Sequence, residues 1–180
     1  MAERTMATRR WFYGCTFFVI SALIILLHLV PLRIVPGRIP GPDLLVCFTF
    51  AWLLRRPHYV PVLLIAVMFL MSDVLFMRPL GLWAALVVLG SEFLRARETA
   101  AREQPFPMEW GMVAAVLLCI TLANAAVLAV LVVGQPALGL TLFQYVATVL
   151  CYPLVVLLSR WVFKLTKMTP NQTDARGRPR

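Results

Sequence analysis

Long apolar runs recur along this chain, and they limit the folds that it can adopt. They lie at residues 12–30, 44–54, 60–77, 80–94, 110–133 and 140–158. The longest of them match the roughly 17–25 residues that a helix needs to cross about 30 Å of hydrocarbon. Of the 180 residues, 61% are hydrophobic and only 14% are charged, which is too few charges to cover a soluble domain of this size. The sequence therefore predicts an all-α, polytopic membrane protein.

The distribution of basic residues predicts how the chain crosses the membrane. We expect six transmembrane helices with short loops, at about residues 12–30, 43–54, 60–77, 80–94, 110–133 and 140–163. With the N-terminus inside, cytoplasmic segments hold 14 of the 17 Lys and Arg residues, and the other side keeps Arg33, Arg38 and Arg78. Because basic residues concentrate in cytoplasmic loops, this asymmetry predicts that both termini are cytoplasmic.

The segments outside the helices are too short to form a soluble domain. We expect basic cytoplasmic tails at residues 1–11 and 164–180 around a transmembrane domain at 12–163. The net charge of +9 then serves topology and contact with anionic lipids. Nucleic-acid binding is not expected, because no basic helix is interleaved with base-stacking aromatics. The charged linker at 95–108 is predicted to extend helix four until Pro105 and Pro107 break it.

One carboxylate, Asp73, lies inside the third apolar run, in the stretch MFLMSDVLFM. An aspartate at the centre of a transmembrane helix costs about 2.5–3.5 kcal/mol, so we expect it to face protein rather than lipid. Asp43, Arg78, Arg33 and Arg38 are predicted at the same membrane level. The first interpretation is an ion-paired cluster that joins the helices, with Arg78 or a loop arginine as the partner of Asp73. A docking or ligand site and a proton relay remain alternatives.

Three other polar residues have a structural and a functional interpretation each. Asp43 fits the first turn of a helix, where a carboxylate binds free N–H groups, but a binding role stays open. Glu92 precedes Arg95 by three residues, which predicts an i,i+3 pair. Asn124 lies among alanines, which predicts a hydrogen bond between helices rather than a substrate contact.

No motif in the sequence predicts catalysis, a metal site or a cofactor. The four cysteines lie singly in apolar runs without CxxC spacing, and the two histidines fall on opposite sides of the predicted membrane. The serines have neither a GxSxG context nor a histidine base. The chain is therefore predicted not to be an enzyme.

The central third of the chain resembles a known family of membrane proteins. The segment DLLVCFTFAW at residues 43–52 follows a proline-rich loop, and Asp73 is followed by PLGLWAAL at 79–86. The last helix carries YPL at 152–154 and LSR at 158–160. These features resemble MreD, the rod shape-determining protein. The family often has glycines four and eight residues before its aspartate, where this chain has Phe69 and Ile65.

The resemblance implies a non-enzymatic subunit of the bacterial inner membrane that acts in cell elongation. The partners it implies are MreC, the MreB filament, and the RodA glycosyltransferase with its class B transpeptidase. MreD-like proteins also resemble, in architecture, the substrate-binding membrane subunits of vitamin uptake transporters. A small-molecule transporter subunit is therefore the alternative. It would need a polar cavity lined from several helices, for which Asn124, Asp73 and a few hydroxyls are the candidates.

Overall fold

A computed structural model describes the backbone at residues 2–29, 41–55, 60–97, 105–131 and 138–163, and the side chains at 11–29, 41–55, 60–97, 105–131, 139–159 and 161. In these ranges the chain forms six helices and no strand. The helices are α1 (Ala2–Leu29), α2 (Leu44–Arg55), α3 (Val62–Leu75), α4 (Leu82–Ala96), α5 (Phe106–Val130) and α6 (Leu138–Phe163). The predicted all-α class is confirmed.

Three of the helices are long and apolar enough to cross a membrane, which makes the chain an all-α membrane protein. Their apolar spans are Trp11–Leu29, Phe106–Val130 and Gly139–Ser159. Helices α2, α3 and α4 are shorter, with 12, 14 and 15 residues. At about 1.5 Å per residue, each of these helices alone is shorter than a hydrocarbon core of about 30 Å.

Helix α2 lies at the centre of the fold. All eleven of its residues from Leu45 to Arg55 are buried, as expected for a helix that is apolar on every side. It packs against α1, α4 and α6, while α3 packs on α1 and α4, and α5 on α4 and α6. Phe17 of α1 stacks on Phe48 at 5.4 Å between ring centroids, and both rings meet the edge or face of Trp52. The core therefore forms around the shortest helix.

Two helices begin earlier than the sequence predicts. Helix α1 starts at Ala2 rather than at residue 12, and α5 starts at Phe106 rather than at residue 110. Pro105 takes the N-cap position of α5 and Pro107 lies in its first turn, where a missing N–H costs no helical hydrogen bond. These prolines therefore start α5, and Glu109 becomes part of its first turn.

A proline inside α6 creates a contact between α5 and α6. Pro153 has no N–H, so the carbonyl of Val149, four residues earlier, loses its helical donor. The indole Nε1–H of Trp110 donates to this carbonyl at 2.9 Å. Near it, the Tyr145 hydroxyl donates to the Ala114 carbonyl at 3.1 Å. These two hydrogen bonds thus fix the position of α5 along α6, which apolar packing alone would leave free to slide.

Candidate functional site

A buried ion pair joins three helices near the C-terminal end of α2. The Arg55 Nη1 atom lies 3.2 Å from Glu109 Oε1 of α5, and the two side chains are only 3% and 1% exposed. The Tyr152 hydroxyl of α6 donates to the same Glu109 oxygen at 2.9 Å, and Arg55 Nη1 also donates to the Ala51 carbonyl at 2.9 Å. We call Arg55, Glu109 and Tyr152 the Arg55 cluster.

Sequence reasoning missed the Arg55 cluster. It ended the second helix at residue 54, before Arg55, and began the fifth at residue 110, after Glu109. Both boundaries are wrong, because Arg55 ends α2 and Glu109 lies in the first turn of α5. The charges are buried because α2 is covered along its whole length. One signal was available: an acidic residue two positions after a proline is typical of a helix start.

Asp73 is buried, as predicted, but its partners differ from the prediction. Its Oδ2 atom accepts two backbone hydrogen bonds of 3.2 Å, from Gly81 N and Ala84 N at the start of α4. Among the described residues no ion pair joins Asp73 to Arg78, which pairs with Asp43 instead. The loop arginines, the alternative partners in the prediction, lie outside the described residues. Gly81 precedes α4 with a φ of 81°, a left-handed conformation that glycine adopts without strain. The carboxylate of α3 thus caps the next helix and closes the α3–α4 hairpin.

Asp43 takes the helix-start role that the sequence predicts. Its Oδ1 atom accepts the Val46 N–H at 3.2 Å, and its own N–H donates to the Thr148 hydroxyl of α6 at 3.0 Å. Arg78 approaches Asp43 Oδ2 at 3.8 Å, an ion pair longer than a hydrogen bond. The predicted loop arginines Arg33 and Arg38 lie outside the described residues.

The predicted pair on α4 is present at the far end of that helix. Arg95 Nε lies 3.2 Å from Glu92 Oε1, and the Arg95 Nη2 group also donates to the Val60 carbonyl at 2.7 Å. The Glu92 side chain is 44% exposed, so this pair contributes little to stability. Its structural effect is to tie the start of α3 to the end of α4.

A cavity of about 410 Å³ opens where α2, α4 and α6 begin. We call it the polar pocket. Most of its lining surface is apolar, but it includes eight polar residues: Asp43, Arg78, Thr121, Asn124, Thr141, Gln144, Tyr145 and Thr148. The α6 members recur at i, i+3, i+4 and i+7, one face of a helix, and the sequence carries this polar stripe although none of the predictions includes it. Asp73, a candidate for such a cavity, is not among the lining residues.

Most hydroxyls of the polar pocket are already engaged with the backbone. Thr121 and Thr148 donate to the carbonyls of Leu117 and Gln144, at 2.8 and 2.7 Å. The side-chain amides of Asn124 and Gln144 have no hydrogen-bond partner among the described residues. The predicted interhelical bond of Asn124 is therefore wrong, because the amide lines a cavity instead of meeting another helix.

Two aromatic rings hold Arg78 at the edge of the polar pocket. The guanidinium carbon lies 5.5 Å from the Phe76 ring centroid and 5.6 Å from that of Trp83, within the range of cation–π attraction. The indole N–H of Trp83 is buried without an acceptor in the part of the chain that the structure describes. The two rings thus position the Arg78 guanidinium, and its N–H donors stay available for a ligand.

Within the same described ranges, no group of three or more His, Cys, Asp or Glu side chains could hold a metal ion. Two polar arrangements of the described residues are the candidates for a functional site: the Arg55 cluster, which is closed, and the polar pocket, which is open.

Comparison with known proteins gives no match: the chain matches no family model, no curated protein and no solved structure. Membership of the MreD family therefore stays a prediction that the residues at 43–52 and 79–86 support.

Proposed function

We propose that this chain is a non-enzymatic scaffold subunit of the bacterial cell-elongation complex, located in the inner membrane. In this role it links the MreB filament and MreC to the RodA glycosyltransferase and its class B transpeptidase. The proposal rests on the resemblance to MreD in residues 43–52, 79–86 and 152–160. It also agrees with the three helices that are long and apolar enough to cross a membrane.

The Arg55 cluster is the observation that carries the proposal. Two buried charges and a tyrosine hydroxyl join α2, α5 and α6 in one arrangement. We infer that the Arg55 cluster fixes the relative positions of these helices more than it adds stability, since apolar residues of similar size often replace a buried ion pair without loss. A membrane platform needs this property, because its lipid-facing and partner-facing surfaces must keep fixed relative positions while other proteins bind.

Complementation in the host of this chain tests the scaffold proposal. Cells that lack the chain should lose their rod shape, and a tagged copy should co-purify with MreC and MreB. A Glu109→Ala copy should fail to restore shape and lose MreC from the purification. The matched control, Glu92→Gln, removes a half-exposed acid and should restore both. Normal rods without the chain, together with co-purification of an ATPase module, would refute the scaffold function.

We infer six membrane crossings with both termini in the cytoplasm, from the placement of 14 of 17 basic residues. The short helices α2, α3 and α4 would then cross where the hydrocarbon core is locally thinned, and α2 would be surrounded by protein. Reporter fusions after Arg10 and after Lys167 should both give cytoplasmic signals. Signals from opposite sides of the membrane would mean an odd number of crossings and would exclude this arrangement.

A substrate-binding subunit of a small-molecule transporter is the second candidate function. The polar pocket favours it, because the pocket supplies the polar cavity, lined from α4, α5 and α6, that such a subunit requires. Its volume of about 410 Å³ lies in the range of small-molecule sites. Substitutions in the polar pocket separate the two candidate functions. A scaffold subunit should still bind its partner proteins after such a substitution, whereas a transporter subunit should lose solute uptake.

A further inference from the structure

We propose that the polar pocket binds a compact zwitterion, a group that carries an ammonium beside a carboxylate or a phosphate. The inference names a ligand class for the second candidate function and rests on the pocket described for it. It does not require the scaffold function. The observations behind it are the Arg78–Asp43 ion pair and the amides of Asn124 and Gln144, which have no hydrogen-bond partner among the described residues.

The charges of the polar pocket come as a loose pair. Arg78 and Asp43 both line it, their nearest charged atoms are 3.8 Å apart, and their side chains are 31% and 16% exposed. A guanidinium has five N–H donors, and this contact satisfies none of them at hydrogen-bond distance. Asp43 keeps its Oδ1 on the Val46 N–H, so its Oδ2 is the oxygen that faces Arg78. Each charge thus has capacity left for a ligand.

The pair selects a ligand that carries two opposite charges next to each other. An anion alone would meet Arg78 but place a second negative charge beside Asp43, and a cation alone would meet Asp43 beside the guanidinium. A zwitterion places its anion on the guanidinium fork and its ammonium on the carboxylate, so no charge is left uncompensated. The convergence of the first turns of α2 and α4 at this end also favours the anionic group.

The amides define the rest of the recognition. Asn124 on α5 and Gln144 on α6 line the same cavity, and each primary amide offers two donors and one acceptor. They match carbonyl or ester oxygens next to the charged groups. The apolar lining from Leu82, Leu117 and Leu128 accepts a short aliphatic portion. This chemistry occurs in amino-acid-like solutes and in the headgroup of ethanolamine phospholipids.

Binding to the purified full-length chain tests the inference without any transport partner. The lipid probes are nanodiscs of phosphatidylethanolamine, phosphatidylglycerol or phosphatidylcholine, read by the lipid retained in native mass spectrometry. The soluble probes are phosphoethanolamine, glycine and inorganic phosphate, read by calorimetry. We expect phosphatidylethanolamine, or free phosphoethanolamine and glycine, to bind at least tenfold more tightly than the probes without a hydrogen-bonding ammonium. Retention of the lipid alone identifies a headgroup site, and binding of the free probes identifies a solute site.

The charge variants decide whether the polar pocket is responsible. Asp43→Asn keeps an oxygen for the cap of α2, and Arg78→Gln keeps a polar side chain, so both should fold. Each should weaken zwitterion binding about tenfold, the equivalent of 1.4 kcal/mol. The control Arg97→Gln removes a cation that lies over Phe93 at the other end of α4, and it should change nothing. If the control weakens binding as much as Arg78→Gln, the inference is wrong.

Two negative results have different meanings. Equal binding of phosphatidylglycerol or inorganic phosphate would refute the zwitterion but keep a binding pocket, and with it the second candidate function. No binding of any probe would refute both.

Discussion

Replacing Glu109 with alanine should lower the free energy of unfolding by about 3–5 kcal/mol, the largest effect we expect from a single substitution in this chain. The reason is that Arg55 would remain charged and buried, with its side chain only 3% exposed, after losing its partner at 3.2 Å. Tyr152 would lose its acceptor at the same time. The measurement is reversible unfolding of the purified protein in mixed micelles.

Companion variants separate the charge from the packing. Tyr152→Phe removes only one hydrogen bond and should cost about 1–2 kcal/mol. The double variant Arg55→Met with Glu109→Met removes both charges, and it should recover most of the loss, because buried ion pairs are often replaceable by apolar residues. Glu92→Gln, the half-exposed control, should change stability by less than about 1 kcal/mol. If Glu109→Ala behaved like Glu92→Gln, the Arg55 cluster would have no structural role.

The elements of the fold were predictable because apolar length is a strong signal in a membrane protein. Each predicted helix overlaps an observed helix, and the errors are at the ends. The start of α5 was misplaced because two prolines were interpreted as helix breakers, although proline in a first turn removes no hydrogen bond. Boundaries depend on such local chemistry, which the apolar pattern does not contain.

Polar contacts were predictable only where the two residues are close together in the sequence. The first-turn role of Asp43 and the Glu92–Arg95 pair involve neighbours three residues apart, and both are present. The partners of Glu109 come from residues 54 and 43 positions away. The sequence analysis counted Arg55 only as a basic residue that sets membrane topology. Its burial depends on α1, α4 and α6 packing around α2, and the sequence of α2 alone does not reveal that packing.

The Asn124 prediction failed for a related reason. An amide among alanines in a transmembrane helix does favour close helix contact. The close approach of α4 and α5 occurs instead at Gly90, where an added Cβ would lie 2.5 Å from Ile120 Cδ1. Asn124 lies one turn beyond Ile120, where the same helices have separated around the polar pocket. The alanines around Asn124 indicated that this face of α5 contacts another helix. They did not indicate where along that face α4 and α5 separate.

The short connection between α3 and α4 lines part of the polar pocket, and Asp73 caps the helix that follows it. Asp73→Ala should lower the free energy of unfolding by about 2–3 kcal/mol, because Gly81 N and Ala84 N would lose the oxygen that both now bind at 3.2 Å. Asp73→Asn should cost less than about 1 kcal/mol, since the amide oxygen can accept the same two bonds and asparagine is a good cap.

This ordering distinguishes capping from the ion pair that the sequence predicts. If the charge of Asp73 were needed by an arginine, Asp73→Asn would be nearly as harmful as Asp73→Ala, because both remove the negative charge. If capping is the role, only the alanine variant loses stability. The control on the same helix is Met71→Ala, which truncates a side chain that is 43% exposed and should change stability by less than about 1 kcal/mol. Unfolding in mixed micelles measures all three, and equal losses in both Asp73 variants would contradict capping and restore the ion pair.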